Sequence, residues 1–173
     1  MNIRKALADD IDAVAMIYDK IHTAEEAGEA VIGWERGIYP ERDTALTALE
    51  RGDLFVIEED HTVVGTGILN QIQVDVYARG NWEYDADPSE VMVMHTLVID
   101  PDLKGRGYGR AFALFYEDYA RSHGCGYLRI DTNEKNIAAR RFYKNLGYKE
   151  IGIENCVFNG LADINLVLIE KKI

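Results

Sequence analysis

One run of residues constrains this chain more than any other: Leu97-Val98-Ile99-Asp100-Pro101-Asp102-Leu103-Lys104-Gly105-Arg106-Gly107-Tyr108-Gly109-Arg110. An apolar stretch breaks at a proline, passes three alternating glycines and opens a segment of helical periodicity. The first amides of such a helix have no intrahelical acceptors, and the helix dipole adds positive potential there. Glycines let the backbone approach an anion closely, so the segment predicts a pyrophosphate cradle. Lys104, Arg106 and Arg110 place cations at it, against 19 Lys and Arg, 30 Asp and Glu, and a net charge of −11 for the whole chain. The plainer reading is a flexible loop ahead of a helix. A Walker loop is excluded, because no Gly-Lys-Ser or Gly-Lys-Thr closes the run, and the third glycine position of a dinucleotide-binding fingerprint is not met.

Around this segment the pattern alternates strands and helices. Residues 2–6 read as a strand, and Ile11, Val14, Ile17, Tyr18 and Ile21 recur at helical spacing behind an Asp9 or Asp10 cap. A second helix follows Pro40, with Ala45, Leu46 and Leu49 on one face and Gly52 as its stop. Residues 54–58 and 62–69 alternate apolar positions about a polar turn and predict a hairpin. Residues 77–90 read as a long polar and aromatic loop, and Val91–Ile99 as a buried strand. A helix over 110–123, a strand over 127–132 and a helix over 137–146 come next. Two strands, Lys149–Phe158 and 163–170, close the chain about Asn159-Gly160. The fold class expected is mixed α/β (α+β): one domain over 1–173, with a mostly antiparallel sheet of about seven strands flanked by helices.

Composition removes several function classes. A chain of 173 residues fits one domain with a full core. Its acidity opposes nucleic-acid binding, since phosphates would be repelled over most of the surface. Cys125 and Cys156 are too few for a thiolate zinc site and read as reduced, small buried hydrophobes; His22, His61, His95 and His123 show no ligand spacing, so no metal is expected. No apolar run is long enough to span a membrane and the N-terminus lacks a signal core, so a cytoplasmic protein without a membrane partner is expected.

The glycine run, following an apolar strand that ends in Asp-Pro, resembles the acetyl-CoA pyrophosphate loop of the GCN5-related N-acetyltransferases (the GNAT family), of pattern Arg/Gln-x-x-Gly-x-Gly/Ala. Lys104 stands at the first position, where Arg or Gln is usual. A second signature is similar as well: Asp131-Thr132-Asn133, then Asn136, Ala139, Phe142-Tyr143 and Leu146-Gly147-Tyr148, with Tyr148 in place of a final Phe.

The resemblance implies a sheet splayed at the cofactor site. Pantetheine would lie along the backbone of Leu97, Val98 and Ile99, and the amides of Lys104, Gly105, Arg106, Gly107, Tyr108, Gly109 and Arg110 would hold the pyrophosphate. Asn133 and Asn136 would contact the cofactor or its neighbouring backbone, and Ala139 and Phe142 would line its groove, although Phe142 and Leu146 also suit a helix core face. Tyr143 would protonate the departing CoA thiolate. The amine must itself lose a proton, and family members use Glu or His on the strand before the loop. Val93, His95, Leu97 and Ile99 share one face of that strand by alternation, and His95 is the titratable member. His95 reads equally as a buried histidine closing the sheet; Glu90, Glu35 and Glu25 are the reserve bases.

The acceptor site is expected from segments that vary within the family. Glu25, Trp34 and Glu35 would form one wall, and Trp82 and Tyr84 another. Carboxylates among aromatic rings suit a cationic amine, and a solvated helix face accounts for the same acids. The resemblance thus implies direct acetyl transfer from acetyl-CoA to a primary amine of a small cationic molecule, with no acyl-enzyme. The alternatives are a CoA-binding sensor without turnover and a protein or peptide N-acetyltransferase. Sheet-edge dimerisation is frequent in the family, so a homodimer is allowed.

Overall fold

Two-residue hairpin turns of type I′ need both central residues at positive φ. Asp60 and His61 (48° and 61°) meet that need at one turn, and Asn159 and Gly160 (50° and 82°) at another. In the computed structural model, which describes Met1–Ile173, these turns join β2 (Leu54–Glu59) to β3 (Thr62–Asn70) and β6 (Lys149–Phe158) to β7 (Leu161–Lys172). With β1 (Asn2–Lys5), β4 (Val91–Ile99) and β5 (Tyr127–Asn133) they form a seven-stranded sheet of order β1-β2-β3-β4-β5-β7-β6. Four helices accompany it: α1 (Ile11–Glu26), α2 (Arg42–Arg51), α3 (Tyr108–Ser122) and α4 (Ile137–Asn145). The β4–β5 pair is parallel, while β1–β2, β2–β3, β5–β7 and β6–β7 are antiparallel, which is the mixed, mostly antiparallel class expected.

The chain divides into two compact units. The first comprises Met1–Ala30, Trp34–Leu69 and His95–Tyr116. Its helix α1 buries Ile11, Val14, Ile17, Tyr18 and Ile21, the spacing of an amphipathic helix. Asp10 precedes it as expected, but its carboxylate is committed to the Leu7 amide (2.7 Å) and the Arg4 guanidinium rather than to the first turn of α1. Helix α2 buries Ala45 and Ala48, with Leu46 only partly covered, and stops at left-handed Gly52. Glycine in β3 has a steric cause: a Cβ on Gly67 would lie 2.6 Å from the Phe112 ring of α3.

The second unit comprises Val31–Gly33, Asn70–Met94 and Glu117–Ile173. Strand β5 pairs along its whole length with β7 but matches β4 only from Val91↔Tyr127 to Val93↔Arg129, although both strands run on. Residues 77–90, read from sequence as a polar loop, behave differently. Two short 3-10 turns, Asp75–Arg79 and Pro88–Glu90, flank this stretch, and Val76 and Tyr77 belong to the core with Val91, Val93, Leu166 and Leu168. Helical and strand periods are both absent from so short a turn, so the pattern hid two core residues. No helix is long and apolar enough to cross a membrane.

Candidate active site

In the first unit, β4 ends at Ile99 and the chain makes a tight turn over Pro101–Leu103 before α3 opens at Tyr108. The Asp100 carboxylate caps that turn by accepting from the Asp102 amide at 3.0 Å. Gly105 and Gly107 have φ of 81° and 86°, a region closed to most side chains, and a Cβ on either would meet nothing within 4 Å. The space in front of the loop is therefore open. Lys104, Arg106 and Arg110 are exposed around it, Tyr108 is buried and Gly109 is half-covered. Amides 108–110, in the first turn of α3, lack helical acceptors. Two carboxylates stand just upstream, and Lys20 of α1 reaches both, at 2.8 Å from Asp100 and 2.7 Å from Asp102. That bridge removes negative charge next to an anion cradle, and the residues present fit a pyrophosphate.

Strand β4 departs from the expected alternation. Thr96 sits at φ 52°, a strained value for a β-branched residue, and its hydroxyl is hydrogen-bonded to the Tyr39 hydroxyl. Burial is unbroken from Val91 to Met94 and then alternates, with His95, Leu97 and Ile99 half-covered and Thr96 and Val98 buried, so His95 stays in phase with Leu97 and Ile99 while Val93 lies in the fully covered part of the strand. Glu90 is exposed in the turn ahead of the strand.

In the second unit, α4 carries the other signature. The Asn136 side chain caps the helix by accepting from the Ala139 amide at 3.1 Å, and Asn133 Oδ1 accepts from the Lys135 amide at 3.0 Å. Ala139, Phe142 and Leu146 are half-covered, whereas Tyr143 is buried and packs edge-on against Tyr148. Burial first, and the neighbouring Asp131 carboxylate second, push the Tyr143 phenol above its ordinary value, which keeps its proton in place at neutral pH.

Asp131 stands in the second signature without a role assigned from sequence. Its carboxyl lies deep enough that burial pushes it up to about 6, while a hydrogen bond from the Tyr77 hydroxyl, at 2.9 Å, pulls the other way. A readable signal existed: β5 is flanked by β4 and β7, yet its short run holds both Arg129 and Asp131. Charges in an interior strand are costly unless matched. Neither cysteine offers a competing nucleophile, since burial raises both thiols.

The expected acceptor residues fall in separate units. In the first, Trp34 packs edge-on to Tyr39 at 5.9 Å, Glu25 is partly covered and Glu35 is exposed. Arg36 satisfies the nearby acids Asp19 and Glu26. In the second, Trp82 and Tyr84 line a concavity of about 550 Å³ together with Asp75, Asp85 and Arg129.

Comparison with known proteins identifies the family and the fold. The model of the acetyltransferase (GNAT) family matches residues 16–148. An uncharacterised N-acetyltransferase of Methanocaldococcus jannaschii is 27% identical over 154 residues, covering 86% of this chain and 60% of its own length. The chain thus spans under two thirds of that relative. A GNAT-family acetyltransferase from Streptococcus agalactiae superimposes with a TM-score of 0.82 at 23% identity, covering 99% of this chain and 95% of its own. A Salmonella typhimurium protein solved with its cofactor acetyl-CoA gives 0.70 at 21% identity, covering 99% and 93%. At these identities the two structures establish the fold.

Proposed function

This chain belongs to the GNAT family of acetyltransferases, and from that premise we propose that it transfers an acetyl group from acetyl-CoA directly to a primary amine of a small cationic molecule, as one domain over 1–173. The carrying observation is the pair Asp131 and Tyr143: a carboxyl that titrates near neutrality beside a phenol that stays protonated. Such a pair supplies a base and an acid at one pH. A CoA sensor without turnover has no use for it.

The roles divide by chemistry. The amides from Gly105 to Arg110 take the pyrophosphate, with Lys104, Arg106 and Arg110 as supporting charge, and the backbone of Leu97, Val98 and Ile99 takes the pantetheine. Asn133, Asn136, Ala139 and Phe142 shape the α4 end of the cofactor site. Acetyl-CoA, when bound, supplies the thioester carbonyl. Asp131 attracts the arriving ammonium and accepts the proton it must shed to free a lone pair; the nitrogen then bonds to the acetyl carbon and passes its second proton to solvent. Tyr143 donates its proton to the sulfur as the carbon–sulfur bond breaks, and solvent restores both groups. His95 is the competing proton acceptor, and comparison of His95→Gln with Asp131→Asn separates the two. The acceptor is read as cationic from Asp131, the acids among Trp82 and Tyr84, those near Trp34 and the net charge of −11.

The test is thermal melting with acetyl-CoA, followed by thiol release with putrescine, spermidine, lysine and a short peptide. Cofactor at ~100 times its dissociation constant stabilises by about 2.7 kcal/mol, a shift of several degrees. Release with the small amines, reduced about a hundredfold in Tyr143→Phe with the melting shift preserved, is the expected result. A shift with no release from any amine points to the sensor, and release only with the peptide moves the acceptor class.

A further inference from the structure

The mechanism above uses Asp131 but leaves unexplained why residues 73–86 are built as they are. Tyr77 is buried at 2% exposure, and its hydroxyl is spent on the Asp131 carboxyl rather than on solvent. The segment that carries it is seated by a buried ion pair. Arg129 and Glu170 are 6% and 2% exposed, with Nε and Oε1 3.5 Å apart. Arg129 donates to Gln73 Oε1 at 2.6 Å and to the Tyr84 carbonyl at 3.2 Å, and its guanidinium lies 4.0 Å over the Trp82 ring. Glu170 Oε2 accepts from the Glu83 amide at 3.0 Å. Trp82 closes the circuit: its indole N–H donates to the Tyr77 carbonyl at 2.8 Å, and its ring meets that of Tyr77 edge-on at 5.0 Å.

A buried ion pair is weak evidence for stability, since apolar residues of equal volume often do as well. Here four of its contacts converge on one segment, and that segment's buried hydroxyl converges on one carboxyl. We propose that Tyr77 is a positioning residue of the acid–base site: residues 73–86, seated on Arg129 and Glu170, deliver its hydroxyl to Asp131 and hold that carboxyl in its working orientation. The inference rests on Asp131 as the base.

The physical consequence is specific. A hydrogen bond to the charged form favours that form, so removing the Tyr77 hydroxyl makes Asp131 hold its proton to higher pH. The other groups facing Asp131 are the Tyr143 phenol on α4 and the Cys156 thiol on β6, the latter flanked by Arg79 and Glu154. Neither replaces the lost donor, because both hold a proton near neutral pH and neither is hydrogen-bonded to Asp131.

The experiment reads Asp131 directly, by carbon-13 titration of protein labelled at aspartate carboxyls, the signal missing in Asp131→Asn giving the assignment. Tyr77→Phe keeps the ring and is expected to raise the midpoint by about one pH unit. The acid limb of thiol release with spermidine follows it. Trp82→Phe keeps an aromatic ring, though a smaller one, and deletes the N–H; it is expected to produce a smaller rise, and none in the Tyr77→Phe background. A midpoint unmoved by Tyr77→Phe overturns the inference. Equal effects of Trp82→Phe with and without the Tyr77 hydroxyl overturn the part assigned to the segment. If the midpoint moves and the acid limb does not, the base reading of Asp131 fails while the seating by Tyr77 stands.

Discussion

The loop at residues 104–110 and the cluster around Asp131 solve opposite problems with opposite materials. In the proposed reaction the loop meets an anion with backbone amides: Gly105 and Gly107 are exposed, no protein atom lies within 4 Å of where their Cβ atoms would stand, and the three cations stand at the surface. In the same reaction the cluster would handle protons with side chains, a half-covered Asp131 and buried Tyr77 and Tyr143, and each is set by a partner from another element: Asp131 by Tyr77, Tyr143 by Asp131. Backbone recognition tolerates side-chain change and fails on conformational change. Side-chain chemistry in a low-dielectric setting does the reverse, because each charge or proton there depends on one identifiable neighbour.

The largest effect is expected from Asp131→Asn. Loss of the base lowers kcat/KM about 10³-fold, while the melting shift given by acetyl-CoA stays as in the parent. His95→Gln changes the rate less than threefold. Asp131→Asn also stabilises the protein in a definite pH window. The folded-state value of Asp131, about 6, lies above the ordinary aspartate value of 3.8, so the folded chain holds that proton more tightly than the unfolded one. Stability from this group is full below about pH 4 and is lost as pH rises through 6. Asp131→Asn therefore melts a few degrees above the parent at pH 7 to 8, by on the order of 2 kcal/mol, and the difference fades toward pH 4. A variant that is active, or less stable than the parent at pH 8, breaks the contrast at its buried end.

The two regions also differ in how far sequence reveals them. The loop is local: strand, proline turn, glycines and helix start occupy consecutive residues, so their order carries the geometry. Asp131 and Tyr77 are 54 positions apart and meet only after β5 pairs with β7 and residues 73–86 settle onto the sheet. No period marks Tyr77, which lies in a 3-10 turn of five residues. The strained Thr96 is invisible for a related reason. Its neighbours His95 and Leu97 read as ordinary strand, and the bond that compensates the strain comes from Tyr39, 57 positions away. Hairpins, by contrast, are legible from the short polar turns Glu59-Asp60-His61 and Asn159-Gly160, because a tight turn is specified by its own few residues; the structure takes Glu59 into the strand and leaves Asp60-His61 as the turn.

An intermediate effect is expected at the open end. A Cβ at Gly107 meets no neighbouring atom, so the cost of Gly107→Val is chiefly conformational: a β-branched residue at φ 86° carries about 1–3 kcal/mol of strain. The loop relaxes that strain by abandoning the geometry that aims its amides. The dissociation constant for acetyl-CoA should rise ten- to a hundredfold in titration calorimetry, with kcat retained at saturating cofactor. A fall in kcat with unchanged affinity means the loop acts on the reaction and not on binding alone, and the division between the two regions is drawn in the wrong place.

The smallest effect is the most discriminating for the loop itself. Lys104 stands where the family usually has Arg or Gln, and its ammonium is exposed. An exposed charge near a bound phosphate acts through solvent, is worth up to about 1 kcal/mol and is screened within roughly 10 Å at 0.1 M salt. Lys104→Gln should therefore weaken acetyl-CoA binding about two- to threefold at low salt and not measurably at ~0.5 M. Because glutamine is itself acceptable at that position in the family pattern, the backbone has to carry the site without the charge. A loss above tenfold that persists in salt requires a direct, desolvated contact from Lys104 to the phosphates. The loop then becomes a side-chain site like the one around Asp131, and substitutions at Arg106 and Arg110 should each cost as much.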